Sequence, residues 1–329
     1  MRRSNEWFFP AGSLADDGWQ TVVDARIDGW RHTALHVGEL GNAPDGAKAR
    51  EQLTLAPADI ERICVPLAGS FTVEVSDDDG ESRFELSGRR SVFDGPTDVL
   101  YVGTGAAVRI TGHGRIAVAE APTGIRKPTN YIPADDVPLE LRGAGRSSRQ
   151  VHNFGTPAAL DAAKLIVCEV ITPAENWSSY PAHKHDTFES GVESRLEEIY
   201  YFETAVTRGA DAPPAAAPFG LFSSYDSPAG AIDTNALVHT GDVALVPFGY
   251  HGPAAAAPGY DLYYLNVMAG PDAERVWNIT DDPAHAWVRS AWEDQVIDPR
   301  LPYTSAPDGA PHNAPLGAPH DDLSNGEHP

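Results

Sequence analysis

Apolar and polar positions alternate in short runs along most of this chain. In the first half the runs are WQTVVDARI (19–27), FTVEVS (71–76), SVFD (91–94), DVLYV (98–102), AAVRITG (106–112) and GRIAVAEA (114–121). Turn-formers such as DDDG (77–80) separate them, and β-branched and aromatic residues fill them, which predicts short antiparallel strands. After RGAGRSSR (142–149) the rhythm returns in LIVCEVITP (165–173), LEEIYYFET (196–204), DVALVPFGYH (242–251) and GYDLYYLNVMAG (259–270). The segment GADAPPAAAPFG (209–220) reads as a surface loop. Two such sets predict two barrels. A weak internal repeat supports this: laying Asp98 on Asp242 aligns FDGPTDVLYVGTGAA with HTGDVALVPFGYH and puts Ala107 where His251 stands. One short helix is predicted in DDPAHAWVRSAWEDQ (281–295), capped by Asp281 or Asp282 with Pro283 in its first turn. From Leu301 onward the chain is rich in Pro, Gly, Asn and Asp and predicts a loose tail. Its histidines, His312, His320 and His328, follow no strand or helix spacing. The expected domains are an N-terminal barrel over 1–145, a C-terminal barrel over 146–300 and a flexible tail over 301–329.

Composition narrows the function. The chain has 329 residues, with 30 Gly and 28 Pro, which fits many turns better than long helices. Its formal net charge of -23 repels nucleic acid and anionic membranes, so no partner of either kind is expected. Any anion site then needs its own local cation. The two cysteines, Cys64 and Cys168, lie in apolar runs and lack the spacing of a thiolate metal site; they read as buried reduced thiols. The N-terminus does not read as a secretory signal, and no run is long enough to span a bilayer, so the expected location is the cytoplasm.

The candidate chemistry sits in NWSSYPAHKHD (176–186). In an extended strand His183 and His185 face the same side. In LEEIYYFET, Glu198, Tyr200 and Phe202 share one face and Glu197, Ile199 and Tyr201 the other. A carboxylate on an aromatic-lined face needs a partner. The pattern prefers Glu198, though a bulge would reverse the choice. His251 ends VALVPFGYH before Gly252-Pro253, at a strand end. Each residue alone is ordinary. Together, on neighbouring strands, three imidazoles and a carboxylate make a nitrogen/oxygen set for one divalent metal, Zn, Mn, Fe or Ni.

With NWSSYPAHKHD, LEEIYYF, GDVALVPFGYH and APGYDLYYLNVMAG in this order, the chain resembles the 5-deoxy-glucuronate isomerase family of inositol catabolism, within the cupin superfamily. The resemblance runs from about SVFDGPTDVLYV to DDPAHAWVR. It implies an all-β bicupin, two jelly-roll-type antiparallel barrels with a few short helices and one metal in the C-terminal barrel. It maps the ligand pattern onto His183, His185, Glu198 and His251 and settles on Glu198. It implies interconversion of 5-deoxy-D-glucuronate and 2-deoxy-5-keto-D-gluconate through an enediol, with a small sugar acid as partner. Two positions depart from the family. Ala182 replaces a second proline, and Gly252 stands where the chain more often runs straight into Pro, which is expected to loosen the turn after His251.

Proton transfer needs a further group. Tyr263 or Tyr260 is the candidate, since tyrosines cluster near His251 in sequence; in DLYYLNV only one of Tyr263 and Tyr264 can face the cavity. The substrate carboxylate needs a cation, for which Arg149 and Lys184 are candidates. Arg149 is preferred, because a regular strand points Lys184 away from the two histidines. A metal-dependent cupin oxygenase and a non-catalytic sugar-binding bicupin are the rival classes. A homo-oligomer is compatible with either.

Overall fold

The computed structural model describes residues 4–41 and 50–304. The strands of the first half are β1 (Phe8–Phe9), β2 (Thr21–Val23), β3 (Ala34–Leu40), β4 (Gln52–Leu55), β5 (Ile60–Asp77), β6 (Gly80–Arg89), β7 (Val99–Val102), β8 (Ala107–Pro122) and β9 (Asn130–Ile132). The second half contributes β10 (Leu139–Arg142), β11 (Arg149–Gly155), β12 (Ile166–Thr172), β13 (Trp177–Ser178), β14 (His183–Lys184), β15 (Asp186–Glu189) and β16 (Glu193–Arg195). It continues with β17 (Glu197–Val206), β18 (Gly220–Ser227), β19 (Gly230–Val238), β20 (Val243–Val246), β21 (Tyr250–Ala256), β22 (Tyr260–Ala269) and β23 (Thr280–Asp281). The described helical segments are all short 3₁₀ turns. This is the all-β architecture that the short alternating runs predict. No described helix is long and apolar enough to cross a membrane.

An eight-stranded sheet in the order β2-β3-β8-β5-β7-β9, with β4 on β8 and β6 on β5, forms the N-terminal unit. The C-terminal unit has a seven-stranded sheet, β1-β20-β17-β22-β12-β11-β10, and a six-stranded one, β19-β18-β21-β14-β23, with β13 on β21. The expected boundary at 145–146 falls between β10 and β11, which pair with each other. Phe8 and Phe9 pair with Ala244 and Val243, so the N-terminal segment completes a sheet of the other unit.

Alternation along the strands sorts the core into three clusters. Cys64, Phe71 and Val73 of β5 and Leu100 and Val102 of β7 fill the first barrel, the parity along β5 changing at its register shifts. Tyr200, Phe202, Ala244, Val246, Tyr264 and Met268 fill the second. The opposite faces, Ile63, Val65, Tyr101, Ile199, Tyr201, Leu245 and Tyr263 among them, pack the barrels together.

The barrels also grip each other reciprocally. Glu197 accepts from the backbone N–H of Thr33 at 2.6 Å and of Arg31 at 3.2 Å, just before β3. Glu61 accepts from the N–H of Ala163 and of Leu165, both at 2.7 Å, just before β12. Asp98 and Asp242 likewise stand just before a buried four-residue strand, and each accepts from two backbone N–H groups: Ser87 and Gly88 for Asp98, Ala11 and His239 for Asp242. The weak sequence repeat therefore has a structural counterpart.

Two expectations change. Within 281–295 only Ala286–Trp292 is helical, as 3₁₀, and it buries no residue. Trp287 and Trp292, five apart, do not share an α-helical face. The first residues of the expected tail, 301–304, also belong to the folded structure. Leu301 and Tyr303 are buried; the Tyr303 N–H donates to Gln150 Oε1 at 2.6 Å and its hydroxyl to Asp261 at 3.0 Å. These are the last large apolar side chains before a polar stretch with few apolar residues. Residues 305–329, with His312, His320 and His328, lie outside the described residues.

Candidate metal centre

Two strands, and the single residue between β14 and β15, deliver the imidazoles. His183 in β14 pairs directly with His251 in β21. His185 follows two residues on, and Glu198 comes from the cavity face of β17. The ligand atoms of His183, His185 and His251 lie within 4.8 Å of one another, and all three side chains are buried. Glu198 Oε2 stands 3.0 Å from Nε2 of both His185 and His251.

The outer nitrogens explain the orientation. His251 Nδ1 lies 2.8 Å from Gly249 O and His185 Nδ1 3.1 Å from Leu196 O; His183 Nδ1 has a longer contact, 3.4 Å, to Pro181 O. With Nδ1–H donating outward, the Nε2 lone pairs of His185 and His251 face each other at 3.1 Å. Two lone pairs that close need a cation between them and the Glu198 carboxylate, so the donor set fits a divalent metal.

The electrostatics agree. Burial opposes charge on Glu198, but the facing His185 and His251 rings hold its carboxyl down to about 2, and Glu198 in turn raises His185 against its own burial, so the site favours a positive charge beside the carboxylate. Burial and the neighbouring His251 and His185 hold His183 well below its ordinary value, leaving it a neutral donor.

Gly252 reverses an expectation. Its φ is +106°, and a Cβ there would meet Ser179 O at 2.5 Å and His183 Cε1 at 2.9 Å. It lets the chain pass close beneath the His183 ring, where only glycine fits, instead of loosening the turn.

Residues 8–288 match the KduI/IolB family. The chain belongs to that family. One relative, the 5-deoxy-glucuronate isomerase of Shouchella clausii, is 40% identical over 230 residues, covering 69% of this chain and 79% of that protein. The crystal structure of an IolB-like protein from Salmonella typhimurium LT2 superposes with a TM-score of 0.73 at 34% identity, over 86% of this chain and 99% of that one. The oxalate decarboxylase of Lactobacillus farciminis, in a formate complex, is similar at TM-score 0.57 and 11% identity, over 85% of this chain and 90% of that one, a likeness of fold alone. The family's fold here is a bicupin.

A cavity of about 520 Å³ opens from His183 and Glu198 toward β10 and β11. Arg149 lines it, as expected of a carboxylate binder. Its guanidinium is buried, stacks over Trp292 with 5.5 Å to the ring, and donates to Ser147 O at 3.0 Å. Burial pulls it down to about 10, still charged at neutral pH. No carboxylate among the described residues forms an ion pair with it.

Three candidates fall away from the site. Tyr263 faces the core between the barrels, where its hydroxyl donates to Glu169 at 2.7 Å. Register explains this: Glu198 and Tyr200 pair with Met268 and Asn266 on β22, so even positions face the cavity and Tyr263 cannot. Tyr260 lies at the far end of β22, opposite Val206 and against Phe219. Lys184 points away from the imidazoles, with Nζ held by Glu193 at 2.7 Å and Asp186 at 3.0 Å.

The sequence reading missed Arg142, Arg289, Trp277, Trp292, Asn266 and Ser179, all on the cavity wall. Only Asn266 left a signal, sharing a strand face with Tyr264. Arg142 pairs with Glu140 at 2.9 Å and Arg289 with Asp281 at 2.7 Å, so both charges are already answered.

Proposed function

We propose that this protein is an isomerase that interconverts 5-deoxy-D-glucuronate and 2-deoxy-5-keto-D-gluconate. The observation that carries the reading is one cavity with a convergent His183–His185–Glu198–His251 set at one side and the unpaired Arg149 guanidinium at the other. Its relatives' activity names the substrate that such a cavity suits: a carbonyl and hydroxyl at one end, a carboxylate at the other. The division into a ligand-free N-terminal barrel, 1–145, and a metal-binding C-terminal barrel, 146–300, belongs to the same reading.

His183, His185, Glu198 and His251 would hold one divalent ion, Zn, Mn, Fe or Ni by their donor types. When bound, it supplies Lewis acidity that stabilises negative charge developing on the substrate's C1 and C2 oxygens. The protein's own groups do the rest. Arg149 takes the C6 carboxylate, and its guanidinium geometry fixes the chain direction. Trp277 and Trp292 keep water from the wall. The C2 proton must leave and one must return to C1. Ser179 and Tyr200 bring hydroxyls to the cavity lining, and the Ser179 hydroxyl lies 2.7 Å from that of the buried Tyr264. Burial pushes Tyr264 up to about 12, so this pair hands a proton on and does not stand as a free base.

Metal-analysed protein should convert 5-deoxy-D-glucuronate anaerobically in D₂O, with product followed by NMR and deuterium entering at the aldehyde-derived carbon. Folded, metallated protein that gives no product, or that consumes oxygen in proportion to turnover, would sink the reading.

A further inference from the structure

Asn266 sits on the cavity face of β22, opposite Tyr200 of β17 on one side and Cys168 of β12 on the other. It is 3% exposed, and its side-chain Nδ2 has no hydrogen-bond partner among the described residues. A buried donor left without an acceptor forfeits its hydration and gains nothing in exchange. Around it are Tyr200, Cys168 and Met268, none of which an amide needs for packing. A valine or leucine would fill such a place without penalty. The amide is retained against local stability, which is the usual mark of a group completed by a ligand.

Its place in the sheet says which part of the ligand. Glu198 lies on β17, one strand from Asn266. Arg149 begins β11, two strands beyond Asn266 on the other side. At about 4.8 Å per strand, the two ends of the cavity floor are roughly 14 Å apart and Asn266 stands between them. A sugar acid with its C1 and C2 oxygens at the imidazole end and its carboxylate at Arg149 lays its middle carbons over this amide. Two indole N–H groups in the same wall, of Trp277 and Trp292, also lack partners among the described residues, so the wall as a whole offers donors.

Resting on the proposed isomerase reading, we propose that Asn266 is a specificity-determining residue whose amide N–H donates to a mid-chain hydroxyl, on C3 or C4, of the bound sugar acid. It selects a hydroxylated chain over a deoxygenated one of equal charge and length, and it keeps C2 over the proton carriers.

The test is a cycle between residue and substrate. The wild type and Asn266→Leu, near in volume and without the amide, are each titrated with 5-deoxy-D-glucuronate and with its 3-deoxy and 4-deoxy analogues. Binding is read by quenching of the cavity tryptophans, and kcat and KM are measured in parallel. The variant should bind the full substrate about tenfold to a hundredfold more weakly and one deoxy analogue within about twofold of wild type. Its metal content should be unchanged and its melting temperature equal or higher. Equal losses on all three ligands, or a lower melting temperature, would overturn the proposal, since either means that the amide is structural. Asn266→Ser, which keeps a donor, should recover part of the discrimination; a variant as indifferent as Asn266→Leu counts against it. Binding with normal discrimination but no turnover by wild type removes the isomerase reading and leaves the Asn266 contact standing.

Discussion

Glu198 and Arg62 hold the same place in two barrels. Glu198 on β17 faces Val246, four residues after Asp242, and Arg62 on β5 faces Val102, four residues after Asp98. Both point into their barrel. Around Glu198 the imidazoles converge with their lone pairs inward. Around Arg62 the protein supplies its own cation: the guanidinium is met by Glu120 at 2.6 Å and by the carbonyls of Ala106 at 2.7 Å and Ala56 at 2.9 Å. A barrel mouth can gather oxygen and nitrogen donors around an imported ion or a covalently attached one. Only the first leaves positions for a substrate.

The largest expected effect breaks the C-terminal side. His251→Ala should lose bound metal and turnover together, by more than the 10–100-fold typical of outer-sphere changes; elemental analysis beside kinetics reads both, and full metal with full activity would refute the ligand set. The matching change on the other side, Arg62→Ala, should leave metal content alone and destabilise the fold by about 3–5 kcal/mol, because Glu120 is left charged and buried. Denaturant melts check this, and a loss of metal without loss of stability would break the parallel. Arg149→Ala should lower kcat/KM by about 10–100-fold, mainly through KM, with metal retained. Unchanged kinetics would remove Arg149 as the carboxylate's partner.

The smallest effect lies between the barrels. Glu169 is buried, which opposes its charge, but Arg89, bonded at 2.6 and 2.7 Å, and His152 hold its carboxyl down to about 2 from an ordinary 4.5. The folded value is the lower one, so this clamp's stability is present above about 4.5 and fades as the pH falls toward 2. Melting temperature followed across that window should decline in wild type and decline less steeply in Glu169→Gln, which starts lower at neutral pH. Parallel curves would mean that the clamp does not couple to pH.

Much of the centre was legible because it obeys local rules. Two histidines one residue apart, and a strand that puts Glu198 and Glu197 on opposite faces, need only period-two geometry. The structure assigns those faces to the imidazoles and to the backbone before β3. Tyr263 failed for the complementary reason. Alternation shows that it and Tyr264 part ways, but which one enters the barrel depends on register with β17, which a single strand does not contain. Arg142, Arg289 and Trp292 were illegible because they arrive from β10 and a 3₁₀ segment far along the chain. Arg62 was hidden for another reason: the first barrel carries Arg62 where the second has Glu198 and Ala107 where the second has His251, so nothing marked the position as equivalent to Glu198.

Phe8–Phe9 on β20 has a consequence for how this protein is made and cut. During synthesis the first barrel emerges about a hundred residues ahead of the strand that its leading segment must cover, so that segment waits on the ribosome for a partner encoded much later. A gene fragment that starts after the first barrel would expose the bare edge of β20, a row of unmade backbone hydrogen bonds open to any other chain. The half that carries the imidazoles is thus better studied whole, or with Phe8 and Phe9 supplied as a peptide, than trimmed to the limits that the candidate ligands suggest.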